Sequence, residues 1–159
     1  MTGRVALVSS CRTPFAKSGE AFKDLSALDL AKVAVRELIE RSEVDPRLIG
    51  TLVMGQVVPS IKAPNLARET ALGVLLPKSV PAHTINRACA SAAQAIADVA
   101  SSILMGHIEA GIAGGAESLS SVPILHSKGM TEALIAASRA RSLGARLSAF
   151  SRVRPKDLI

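Results

Sequence analysis

The chain has no tryptophan and no tyrosine, and its only aromatic residues are three phenylalanines. At 2% aromatic content the interior cannot be filled by large rings, and a surface that stacks nucleic-acid bases is disfavoured with it. Cysteine is almost as scarce. Cys11 and Cys89, in a chain with no apolar run long enough for a signal peptide or a membrane span, point to free thiols in a reducing compartment. The cytoplasm is the expected location. Met1 to Ala6 hold one Arg ahead of an apolar run that stops at Ser9-Ser10, too short for a secretory core. Repeats and low-complexity runs are also missing.

What is present is aliphatic. Of 159 residues 48% are hydrophobic, enough for one domain with a real core and an appended segment but not for two full domains. Such an interior must pack Ala, Val, Ile and Leu through close backbone approach. The net charge of +6 is uneven: residues 1–117 carry 12 Lys and Arg against 11 Asp and Glu, whereas residues 118–159 carry 7 against 2. A basic segment attracts an anionic partner such as a phosphate-bearing ligand or a membrane surface. No nucleic-acid motif accompanies it.

Arg4 to Cys11 has the pattern of a short buried strand, ended by a loop from Arg12 to Gly19. The apolar positions between Ser26 and Arg41 predict an amphipathic helix, with Asp29 early and Arg41 late to match its dipole. Thr51 to Val58 predicts a strand, Pro64 to about Leu76 a helix, and Val80 to Asn86 a further strand. From Cys89 to Gly106 runs a helix with one charged residue, Asp98, expected to be covered on nearly every side. Ala110 to Glu117 is a Gly-rich apolar strand, after which the pattern breaks into short apolar and basic pieces around Pro123, Gly129, Gly144 and Pro155. The alternation implies a layered, largely parallel α/β domain over residues 1–117 and a loop-rich basic unit over 118–159.

Cys89 is the outstanding candidate for chemistry. It follows a short strand and the turn Asn86-Arg87-Ala88, and it opens a helix of small residues. Unpaired amides and the positive end of the dipole favour negative charge on a sulfur placed there. The plain alternative is an ordinary buried thiol, the usual fate of cysteine, and Cys11 at a strand end takes that reading as a small core residue. His83 in its short strand is expected to be a core histidine, and His107 a complement to the C-terminal dipole of the helix before it. His126 either approaches a ligand in the basic unit or is a loop residue. Gly111, Gly114 and Gly115 are expected to permit close packing, since no phosphate-loop pattern follows them.

Arg12-Thr13-Pro14-Phe15, Asn86-Arg87-Ala88-Cys89-Ala90-Ser91 and Ala113-Gly114-Gly115-Ala116-Glu117-Ser118-Leu119-Ser120, in this order and each at a strand end, resemble the N-terminal domain of the thiolase family. The following Val122 to Ser127 resembles the long-chain thiolase subunit of fatty-acid oxidation complexes. The resemblance implies a thiolase-like fold: two similar mixed-sheet halves enclosing central helices, with an inserted loop domain that contacts coenzyme A. It implies Cys89 as the nucleophile, acylated while coenzyme A cleaves a 3-ketoacyl-CoA into acetyl-CoA and a shortened acyl-CoA. Coenzyme A is then a substrate, with no bound cofactor and no metal. A homodimer of the full-length enzyme and a hydratase/dehydrogenase subunit are the implied partners.

Two positions depart from the family pattern, Ala92 where many members have Gly and Leu119 where many have Met. Neither change removes a reacting atom. The family's acid/base cysteine, its histidine in a Gly-His-Pro setting and its oxyanion-binding asparagine belong to a second half, so this chain is expected to end inside the loop domain. Two alternatives stand beside the thiolase reading. One is a ketoacyl-synthase-like condensing enzyme, and the other a non-catalytic fragment or assembly domain that offers an apolar helix face to a partner.

Overall fold

The computed structural model describes residues 3–74, 76–151, 153–154 and 157; Met1, Leu75, and Arg152, Pro155 and Lys156 of the basic tail lie outside the described residues. The chain divides into two compact units, Met1–Val122 and Pro123–Ile159.

The first unit is built on a parallel sheet of three strands, β1 (Ile49–Gly55), β2 (Ala82–Ile85) and β3 (Ala110–Gly115), in the order β2-β1-β3. Helices α1 (Ala27–Ser42), α2 (Leu66–Gly73) and α3 (Ser91–Leu104) connect and cover it. Central β1 is buried on both faces, and its alternation sorts the core into two layers. Leu52 and Met54 point into a cluster with Ala27, Ala31 and Val35 of α1, Leu66, Ala67 and Ala71 of α2, and Ile112 of β3. Val53 points the other way, onto Ala95 and Val99 of α3 with Ile85, Ile108 and Ala113 around them.

Capping residues define where the first two helices begin. Ser26 Oγ accepts from Asp29 N (3.2 Å), while Asp29 Oδ2 accepts from Ser26 N (3.0 Å) and Ser26 Oγ (2.6 Å), a reciprocal capping box. These bonds from Ser26, aided by Lys32, hold the Asp29 carboxyl below the usual carboxylate range. Ser26→Ala is expected to cost about 1 kcal/mol at neutral pH in urea unfolding. Because Asp29 titrates low only in the folded state, its contribution is present above the ordinary carboxylate pKa of about 3.9 and is lost as pH falls through the depressed value. The gap between parent and variant should therefore narrow on acidification.

The start of α2 is bound to β2. Asn65 Oδ1 accepts from Arg68 N (3.1 Å), Asn65 Nδ2 donates to Ala82 O (3.2 Å), and Thr84 Oγ1 accepts from Ala67 N (3.0 Å). The guanidinium of Arg68 reaches Val80 O (2.9 Å) and Lys78 O (3.1 Å), fixing the connection into β2.

The segment from Arg4 to Cys11 does not form the expected buried strand. It joins no ladder, and Leu7 and Val8 are 77% and 78% exposed. An apolar pattern shows that a segment favours burial, and the three strands of this sheet leave it unpaired. His83 is likewise exposed rather than buried in the core. It lies beside Val53 on edge strand β2, and α3 packs chiefly over β1 and β3, so that stretch of the sheet is left open.

Helix α3 itself is covered on one face. Ser91, Ala95 and Val99 are buried, whereas Ile96, Leu104 and Met105 are 49%, 54% and 62% exposed, contrary to the nearly complete enclosure its composition predicts. Its small residues suit close approach, but only one sheet face is available to it within this unit.

The second unit is a helical pair, α4 (Lys128–Arg139) and α5 (Leu143–Phe150), where a loop-rich segment was expected. Ser127 and Ser142 cap the two starts, accepting from Met130 N (3.2 Å) and Ala145 N (3.2 Å). Ser127 Oγ also donates to Asp157 O (2.8 Å), which joins the end of the unit to its beginning. Among the described residues no helix is long and apolar enough to cross a membrane.

Candidate active site

In a parallel sheet all carboxyl ends emerge on one edge, and the loops that follow them form the usual place for a reactive group. Here those loops are Gln56–Ser60 after β1, Asn86–Ala90 after β2 and Ala116–Ser121 after β3. Cys89 stands in the middle one. It is exposed, immediately before the N-cap Ala90 and two residues before the first helical residue, Ser91.

The turn that presents Cys89 is held by its neighbours. Ser91 is buried, and its Oγ accepts from Arg87 N (2.7 Å) and donates to Ala88 O (2.6 Å). Asn86 Oδ1 accepts from Ala88 N (3.0 Å). Together they keep Ala88 at φ 47°, a left-handed conformation that a residue with a Cβ seldom adopts. The chain reverses there and enters α3. Ser91 N bonds Ala88 O (3.1 Å), Gln94 N bonds Ala90 O (2.9 Å), and no side chain caps the helix, so first-turn amides remain available to a ligand. Ser91→Ala would strand the Arg87 amide and is expected to lower unfolding free energy by about 1–3 kcal/mol in denaturant titration.

Close packing places the start of α3 against the strand ends. A Cβ on Gly55 would lie 2.6 Å from Ala92 N and 2.8 Å from Ser91 Cβ, and one on Gly115 would lie 3.0 Å from Gly55 O and 3.2 Å from Ala92 Cβ. Gly111 meets Val99 in the same way at 2.9 Å, whereas Gly114 has room, with Met54 Sδ at 3.5 Å. The close-packing expectation thus holds at Gly111 and Gly115 and is not needed at Gly114.

The flanking loops are cross-linked by polar side chains. Glu117 Oε2 accepts from Val57 N (2.8 Å) and Val58 N (3.2 Å), and Asn86 Nδ2 donates to Val57 O (3.0 Å). Ser118 Oγ donates to Leu25 O (2.8 Å), and Ser120 Oγ accepts from Gly19 N (2.9 Å), bringing the Gly19–Leu25 stretch to the loop after β3. On the exposed side of the turn, Arg87 Nη1 donates to Gln94 Oε1 (2.6 Å) and Gln94 Nε2 to Asp98 Oδ1 (2.8 Å).

The other candidates fall elsewhere. Cys11 is half-buried and donates to Ala34 O (3.0 Å); burial pushes its thiol up, against a smaller downward pull from Arg41. His107 is exposed just past α3, and its amide closes the helix on Ser102 O (3.0 Å). His126 is an exposed residue ahead of α4 in the second unit. Between α4 and α5 lies a cleft of about 410 Å³ lined by Gly129, Glu132, Ala133, Ala136, Ala145, Ser148 and Ala149. Among the described residues that lining holds one carboxylate, Glu132, and no cation.

The roles of Ser91 and Glu117 and the tight fit at Gly55 are not apparent from sequence patterns. An Asn two residues before Ala88 is a recognisable local turn signal. The bonds of Glu117 reach back about sixty residues and have no local signature.

Solved structures share this architecture. The chain aligns with the crystal structure of Bacillus anthracis acetyl-CoA acetyltransferase at a TM-score of 0.72 and 32% identity, over 76% of this chain and 31% of that one. A thiolase from Ascaris suum in complex with coenzyme A aligns at 0.72 and 33%, over 76% of this chain and 32% of that one. The fold, with a cysteine-bearing turn at the carboxyl edge of its sheet, is therefore the thiolase fold. Residues 5–147 match the family model "Thiolase, N-terminal domain". The 3-ketoacyl-CoA thiolases of Shewanella piezotolerans and Shewanella pealeana are each 51% identical to the chain over 156 residues, covering 98% of it. The chain belongs to the thiolase family, and it spans 36% of the length of those two relatives.

Proposed function

We propose that this chain is the nucleophile-bearing part of a 3-ketoacyl-CoA thiolase and that Cys89 carries the acyl group. One observation supports the reading above the rest: an exposed cysteine, on a turn held at the carboxyl edge of the sheet, precedes an uncapped helix start in a member of the thiolase family. The sulfur attacks the 3-keto carbon of the substrate, and the bond between C2 and C3 breaks. Its electron pair passes to C2 as the enolate of acetyl-CoA, which takes a proton from a general acid. The sulfur of coenzyme A then attacks the Cys89 thioester, leaving as the shortened acyl-CoA and returning the cysteine. The Cys89 amide and the first-turn amides of α3 are suited to oppose the developing negative charge.

Fatty-acid oxidation in the cytoplasm is the setting this activity fits, with coenzyme A as substrate and the basic second unit as a contact for its phosphates. The test is incubation of the protein with an acyl-CoA followed by peptide mass mapping. An acyl thioester on the Cys89 peptide, blocked by prior alkylation of that residue, supports the reading; an adduct on Cys11 or on no residue overturns it. A non-catalytic assembly role is favoured by the exposed apolar residues Ile96, Leu104 and Met105. It predicts self-association in light scattering without any thioester.

A further inference from the structure

We propose that Asn86 and Glu117 are positioning residues for Cys89, acting through the Val57 peptide that both of them hold. The inference rests on the nucleophile reading just given. The Glu117 carboxylate accepts from Val57 N (2.8 Å) and Val58 N (3.2 Å). The carbonyl of the same Val57 accepts from Asn86 Nδ2 (3.0 Å), and the other end of that side chain, Oδ1, accepts from Ala88 N (3.0 Å). A continuous hydrogen-bonded path thus runs from the end of β3, across the loop after β1, to the residue before the nucleophile.

What the path holds is a backbone that would otherwise relax. Ala88 sits at φ 47°, and a residue with a Cβ stays there only when its surroundings over-determine it. Its carbonyl is fixed locally, by Ser91 Oγ (2.6 Å) and Ser91 N (3.1 Å). Its amide is fixed by Asn86, which is in turn bound to the neighbouring loop. All three strand ends therefore set the backbone turn that carries Cys89 into α3. Neither Asn86 nor Glu117 needs to touch substrate for this.

The chemistry of the Asn86 amide makes the two halves of its task separable. Aspartate keeps an acceptor for Ala88 N but has no donor for Val57 O, so Asn86→Asp retains the local turn and cuts the path. Glu117→Gln keeps an acceptor oxygen, whereas Glu117→Ala removes it.

The experiment measures single-turnover acetylation of Cys89 by acetyl-CoA, with iodoacetamide labelling of Cys89 and Cys11 in the same folded sample. Asn86→Ala, Asn86→Asp and Glu117→Ala should each lower the maximal acetylation rate about 10- to 100-fold, with the half-saturating acetyl-CoA concentration shifted by no more than roughly threefold. Glu117→Gln should lose clearly less than Glu117→Ala. Combining Asn86→Asp with Glu117→Ala should add little to the slower single change, since both cut one path. Adding Ala88→Gly to Asn86→Ala should restore part of the rate, because glycine adopts this backbone unaided.

Cys11, half-buried and far along the chain from these loops, is the internal control and should label at an unchanged rate. Acetylation within twofold of the parent in all three variants, or Cys11 labelling that rises in step with the loss at Cys89, would overturn the proposal. The second result would mean general loosening. A folded parent that forms no thioester at Cys89 would instead refute the nucleophile reading. The path would then be judged on whether the variants alter iodoacetamide labelling of Cys89 and leave that of Cys11 unchanged.

Discussion

Cys89→Ala is expected to abolish acyl transfer, lowering kcat by roughly 10³-fold or more while leaving the unfolding transition almost unmoved. The two halves of this expectation come from the same geometry. The thiol is exposed and packs into no cluster of the core, so its removal opens no cavity. Yet it is the group from which the acyl chain would be suspended during the reaction, and the other cysteine cannot replace it. Cys11 is half-buried and donates to Ala34 O of α1, with its thiol pushed up by burial. Parallel measurement of thiolysis and of urea unfolding checks both halves. Retained turnover in a protein with the alanine confirmed by mass would remove the basis of the mechanism.

Gly55→Val should be the most damaging single change to the fold near the site. Even a Cβ at this position would come within 2.6 Å of the Ala92 amide nitrogen and of the Ser91 carbonyl carbon, atoms of the helix backbone that cannot rotate aside. Overpacking of this kind costs about 1–3 kcal/mol, and the two γ-carbons of valine place the substitution toward the upper end or beyond it. Helix α3 must lift from the sheet, taking the Cys89 turn with it, so activity should fall along with stability. Gly114→Ala is the informative comparison. Its new methyl group would meet only the end of the Met54 side chain, Sδ at 3.5 Å and Cε at 3.9 Å, and thermal unfolding should show it close to neutral.

Much of the first unit was legible in the chain, and for identifiable reasons. Pro46, Pro64 and Pro77 punctuate it, Ser26 with Asp29 forms a capping box, and the apolar positions of α1 recur with helical spacing. The expected strands and helices from Ser26 to Glu117 all exist, with ends displaced by a few residues. The second unit was obscured because α4 and α5 are rich in alanine, which weakens the periodic contrast between faces, and because Gly129 and Gly144 fall in their first turns. Ser127 and Ser142, which cap the two helices, are the local features that mark their starts. Burial at His83 and over α3 could not be read from composition, since it depends on which element covers each face of the sheet.

At the site, the position of Cys89 was legible, because a strand, a turn and a run of small helix-forming residues are local features. The means of holding it was not. Ala88 gives no sign of a left-handed backbone, since nothing about an alanine suggests φ 47° until the Asn86 side chain is seen bridging to its amide. The joint between Gly55 and Ala92 is a contact across thirty-seven residues.

The two-sided burial of β1 has a kinetic consequence. Solvent reaches a backbone amide only when the elements above and below it separate, and the bonds of Leu52 to Gly55 lie between two strands and beneath helices on both faces. Deuterium should therefore enter these amides last, on the timescale of whole-domain opening, well after it has filled the exposed stretch before α1.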